Sequence, residues 1–172
     1  MGDHRVAEPH FRRQLDEAVQ AGYLPGQADA YNMRAQVARY RGEFRQARSL
    51  LWQALKLFRQ ANNPGNVAVM LNRLGEVVRD EGRAAATRRL FTAALRRLAA
   101  LRNKRHIAFA LEGLAAAAAL EDAGHQALAY LGAAQGLRDE IGAPLPPAER
   151  VILTGSSRQL SRGSPSGNVR TG

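Results

Sequence analysis

A chain of 172 residues is long enough to bury one core of ordinary size, and without cysteine it can build neither a disulfide framework nor a thiolate metal site. Its net charge of +10, from 25 Lys+Arg against 15 Asp+Glu, suits an anionic partner. Residues 1–8 carry no apolar signal core, and the longest near-apolar run, Leu114 to Leu120, is far below the roughly 18 residues needed to cross a bilayer; a cytoplasmic location without membrane contact is expected.

The first apolar pattern, with Phe11 and Leu15, suggests a helix over residues 5–21. Next comes a helix holding Tyr31 and Ala35, then the turn residue Gly42, then a helix with Phe44, Ala47, Leu51 and Ala54. Asn62-Asn63-Pro64-Gly65 breaks the chain. A fourth helix carries Leu71, Leu74 and Val78 at i, i+3, i+7, one helical face. Gly82 follows as a residue able to take the left-handed conformation that ends a helix. Phe91, Ala94, Leu95 and Leu98 mark the next helix, and Asn103-Lys104-Arg105 makes a weaker break. Helices around Leu111 and Leu131 complete the series, joined at Asp122.

Shifting the chain by 40 residues superimposes these features without a gap from residue 27 to 142. Ala47, Thr87 and Ala127 align, as do Leu51, Phe91 and Leu131, and Ala54, Ala94 and Ala134. Ala35, Gly75 and Ala115 form a column of small residues on the first helix of each unit. Helices packed at about 8–10 Å need small side chains where backbones approach. One such pair cannot bury its faces alone, so neighbouring pairs must stack. The expected fold is therefore all-α, a solenoid of antiparallel helix pairs with a 40-residue period.

The column pattern resembles the tetratricopeptide repeat: a large residue, a small one four later, a turn glycine, alanine, a large residue, alanine. The resemblance implies a right-handed superhelix. Arg34, Ala84 and Asp122 depart from the usual residues at their positions. The expected organisation is a partial leading repeat (second helix only) over residues 1–25, three helix pairs over 26–145, a capping helix over 146–155 that starts at Pro146-Pro147, and a disordered basic tail over 156–172. That tail region holds Arg158, Arg162 and Arg170, with Arg150 just before it. Two stretches, Ile107 to Leu114 and Tyr130 to Arg150, look like the C-terminal repeat region of the LuxR/MalT-like ATP-dependent bacterial transcriptional regulators. What the resemblance implies is a sensor or docking surface. No G-x-x-x-x-G-K-[ST] occurs, so the ATPase activity of that family does not carry over.

Nothing in the sequence points to catalysis, a cofactor or a metal. His4, His10, His106 and His125 have no ligand spacing and read as surface residues; adjacent acids such as Asp16-Glu17 do not face one another on a helix. In stacked pairs the first helices line the concave face, and their outward positions are the candidate partner-binding residues: Asn32, Gln36, Arg39 and Tyr40 in unit one, with Asn72, Arg73, Glu76 and Arg79 in unit two. Phe109 and Glu112 represent a more apolar unit three, with Gly113, Ala116, Ala119 and Leu120. Asn32/Asn72 and Arg39/Arg79 repeat in register, a polar ladder suited to an extended peptide and its carboxylates. A protein or peptide partner is expected, along with homo-oligomers through uncapped repeat ends. Arginines are spread along the chain, so direct nucleic-acid contact is not expected; a nucleic-acid-associated basic repeat protein is the alternative function.

Overall fold

The computed structural model describes residues 4–144, with side chains from Pro9 onward. Seven α-helices of 17 residues each follow one another: α1 (His4–Gln20), α2 (Leu24–Tyr40), α3 (Phe44–Gln60), α4 (Pro64–Asp80), α5 (Ala84–Ala100), α6 (Lys104–Leu120) and α7 (Gly124–Glu140). No strand occurs among the described residues. The expected capping helix over 146–155 and the tail over 156–172 lie outside them.

Ala, Leu, Arg and Gln dominate these segments and lose little rotamer freedom in a helix. Starts are set locally. Asn63 accepts the Asn66 N–H at 3.0 Å and Asn103 the His106 N–H at 3.3 Å, while proline occupies the first turn of α2 and of α4. Arginines in the last turns of α2, α3, α4, α5 and α7 complement the negative helix end.

Helix starts recur every 20 residues, because one three-residue turn is used seven times. At each turn the middle residue has positive φ: Gly22, Gly42, Asn62, Gly82, Arg102, Asp122 and Gly142. Its N–H donates to the carbonyl three residues back, and the next N–H to the carbonyl five back, as in Gly42 to Arg39 and Glu43 to Ala38, both 2.9 Å. The sequence reading distinguished glycine turns within units from looser breaks between them. The structure removes that distinction, since Asn62 and Arg102 take the left-handed conformation that glycine takes elsewhere.

Each helix packs on the next, and α4 also meets α6. The centre is filled by Leu51, Leu55, Phe58, Met70, Leu74, Phe91 and Leu98, all essentially inaccessible. Ala35, Ala47, Ala54 and Ala94 are buried where backbones approach, as their columns suggested. The closest approach involves Phe91. A Cβ built on Gly113 would lie 2.3 Å from its ring, and one on Gly75 would lie 2.8 Å away. Glycine on α4 and on α6 thus makes room for the α5 phenylalanine. Gly113, expected to face outward, is buried beneath that ring.

Candidate interaction face on helices α2, α4 and α6

Arg39, near the end of α2, reaches across to α4. Its Nη1 donates to Glu76 Oε1 at 2.8 Å and its Nε to Asp80 Oδ2 at 2.6 Å. Glu76 also accepts from Arg73 Nη1 at 2.9 Å, and Asp80 from Arg79 Nη2 at 2.9 Å. Three guanidiniums therefore share two carboxylates. Burial works against the Arg39 cation, but the Glu76 and Asp80 carboxylates outweigh it, and its pKa lies above the ordinary guanidinium value. The Arg73 guanidinium stands 5.8 Å from the centre of the Phe109 ring on α6, a cation–π distance. Phe109 in turn rests on Phe91, 6.3 Å between centroids. The network thus runs from α2 through α4 to α6.

The 40-residue register explains where it stops. Arg39 meets Glu76 and Asp80, 37 and 41 residues further along the chain; the equivalent partners for Arg79 are Ala116 and Leu120, which carry no charge. Arg79 is consequently left to share Asp80 with Arg39. Around the network, Tyr40 is 67% exposed, and Met33 and Leu120 are also exposed. Gln36 is half-buried beside them.

The outward ladder expected from the sequence needs correction. Asn32 and Asn72 are buried, Asn72 to 1%, and the Asn72 amide donates to the His106 carbonyl at 3.2 Å, tying α4 to α6. Glu76 is buried as well, held by two arginines. Arg39 does not await a ligand's carboxylate, because two internal carboxylates already neutralise it. At Asn72 the reason is that α4 packs against α6, and at Arg39 and Glu76 that an ion pair crosses from α2 to α4, so positions that face out of one pair meet the next. Three polar atoms are buried there without a hydrogen-bond partner: Asn32 Oδ1, Asn72 Oδ1 and Arg73 Nε.

Glu112 is also engaged internally. Arg138 on α7 grips it with two bonds, Nη2 to Oε2 at 2.8 Å, and donates to the Ala143 carbonyl. Sequence reasoning missed Arg138, although the register held the signal. Arg138 stands in the column of Phe58 and Leu98, and Glu112 in the column of Asn32 and Asn72. Both columns change character in the same unit, so an acid and a base replace an amide and an apolar residue together.

Two further ion pairs repeat 40 residues apart: Arg48 with Glu81, and Arg88 with Glu121, each joining one helix to the turn that follows the next. His106, expected at the surface, is half-buried with Nδ1 3.1 Å from Asn103 Oδ1. Burial first, and the Arg73 and Arg105 charges second, hold its pKa below the ordinary imidazole value. Among the described residues no three His, Asp or Glu side chains group as a metal site would require, and no helix is long and apolar enough to cross a membrane. Comparison with known proteins matched the chain to no family model and to no curated protein.

Proposed function

We propose that this chain is a non-catalytic scaffold whose α2, α4 and α6 face binds an extended, carboxylate-bearing segment of a partner protein. On this reading the seven helices form a right-handed, tetratricopeptide-like superhelix with a 40-residue repeat. It would serve as a cytoplasmic sensor or docking module, similar to the repeat region of LuxR/MalT-like bacterial transcriptional regulators. The observation that carries the proposal is the unbalanced cluster of three arginines on two carboxylates, flanked by exposed Tyr40, Met33 and Leu120. An incoming carboxylate would complete the charge balance at Arg79, and its apolar neighbours would cover the exposed side chains.

The test is selection from a random peptide library displayed on phage, with the full chain immobilised. The proposal requires enrichment of peptides pairing Asp or Glu with apolar residues, and loss of their binding on Arg79→Glu and Tyr40→Ser. Enrichment indifferent to both substitutions, or no enrichment, would defeat it. Sedimentation velocity on the same chain tests the accompanying expectation of self-association through repeat ends.

A further inference from the structure

The arginines that look dispersed along the sequence are sorted by helix. Helices α3 and α5 together carry Arg45, Arg48, Lys56 and Arg59, then Arg88, Arg89, Arg96 and Arg97, and neither contains an acid. By contrast α2, α4, α6 and α7 each hold acids beside their bases. On α3, Arg45, Ser49, Trp52, Lys56 and Arg59 fall within an arc of about 80° at 100° per residue. All five are exposed, on the side of α3 turned away from its buried face of Ala47, Leu51, Ala54 and Phe58. Trp52 is 51% exposed at the middle of the stripe, with cations about one and two turns away along the helix.

The stripe continues in register. Arg89 and Arg96 on α5 stand 40 residues beyond Ser49 and Lys56 and are exposed too. The two helices are joined at this side, because Arg48 on α3 binds Glu81 in the turn that leads into α5, 3.5 Å from Arg83. Among the described residues Arg45, Lys56, Arg59, Arg89 and Arg96 have no acidic partner. Like charges gathered this way oppose folding, and a half-exposed indole contributes little to the core. Neither feature serves stability.

We propose that the outer face of α3 and α5 binds single-stranded nucleic acid, with a base stacked on Trp52 and the flanking phosphates held by Lys56, Arg59 and Arg96. The combination of a cationic track and an accessible aromatic ring is what an unpaired strand requires. A duplex keeps its bases stacked internally and would leave the indole unused. A lipid surface would call for a broad apolar helix face, whereas Trp52 is the one exposed large apolar side chain of α3. This face is separate from the α2, α4 and α6 network, so the two proposals stand or fall independently.

Trp52 is the only tryptophan in the chain, so its emission reports the site directly. The experiment titrates the full chain with a 12-nucleotide oligo(dT) and follows quenching together with the anisotropy of a labelled strand. Saturable quenching is expected, with affinity falling roughly twentyfold between 50 and 200 mM salt if about three phosphates are neutralised. Lys56→Glu with Arg96→Glu should weaken binding at least about tenfold, and Trp52→Leu by a similar factor; all three positions are exposed, so circular dichroism should be unchanged. Four outcomes would overturn the proposal: no binding, equal affinity for a duplex of the same length, equal affinity for inorganic polyphosphate, or binding without quenching. Quenching by anionic phosphatidylserine vesicles but not by the oligonucleotide would likewise replace a nucleic acid with a membrane.

Discussion

Replacing Gly113 with alanine should destabilise the protein, although the same change on an open helix stabilises. A Cβ at this position meets Phe91 Cε2 and Cζ at 2.3 Å and Cε1 at 2.4 Å. Relief requires the ring to move by about 1 Å, since carbon atoms sit comfortably near 3.5–4.0 Å. The ring has nowhere to go. Phe91 is fully buried, and its same edge already abuts the space left by Gly75, where an added Cβ would lie 2.8 Å away. Overpacking of this kind costs about 1–3 kcal/mol, and the upper end applies because three ring atoms are struck at once. The gain from alanine's helix propensity is about 1 kcal/mol. The net loss is therefore about 2 kcal/mol, or a fall in Tm of roughly 4–8 °C for a chain of this size. Gly136→Ala is the matched control, because its added Cβ meets nothing within 4 Å and should raise Tm by about 2 °C. Thermal and urea unfolding followed by circular dichroism would measure both. If Gly113→Ala were as stabilising as Gly136→Ala, the close packing of α5 between α4 and α6 would be wrong. Displacement of Phe91 should also disturb Phe109 and the Arg73 cation above it, linking the core to the proposed docking face.

Breaking the Glu112–Arg138 pair by Arg138→Leu alone should cost about 3–5 kcal/mol in urea denaturation, because it leaves a mostly buried carboxylate unpaired. Adding Glu112→Asn restores the residues that the second unit carries at Asn72 and Leu98, and should return stability to within about 1 kcal/mol of the parent; additive losses would refute the pairing. His106 is held neutral by its surroundings, so its folded pKa lies below its free value of 6.5. Its contribution to stability is therefore complete above that value and declines as pH falls from there through the lowered pKa. The loss should shrink in His106→Gln, as measured by urea midpoints across that window. Arg102→Gly should raise Tm slightly, since a left-handed arginine costs about 1–2 kcal/mol against a glycine entropy penalty of about 0.5–1 kcal/mol. Gly82→Ala, at the equivalent turn with φ +73°, should lower it.

The helices and their order were legible because they rest on local chemistry. Leu71, Leu74 and Val78 mark a buried stripe by spacing alone, Gly42 and Gly82 announce turns, and the alanine columns identify where backbones meet. At Asn62 and near Arg102 the sequence marks only a break and not the same left-handed turn, since nothing local compels either residue to take positive φ; the helices on both sides impose it. The interaction face was legible only in outline. A repeat register tells which positions are equivalent, but not whether a position opposite one helix faces solvent or the next unit. That is why Asn72 and Glu76 were read as exposed and are buried. The sequence by itself determined an all-helical chain with a regular stacking pattern, because helix periodicity and small-residue spacing are properties of neighbouring residues. Tertiary structure alone decided which arginines are neutralised and which remain on the surface. Arg39 meets its acids 37 and 41 residues away, whereas Lys56 and Arg96 meet none among the described residues, and charge pairing over such separations exists only once the helices are packed.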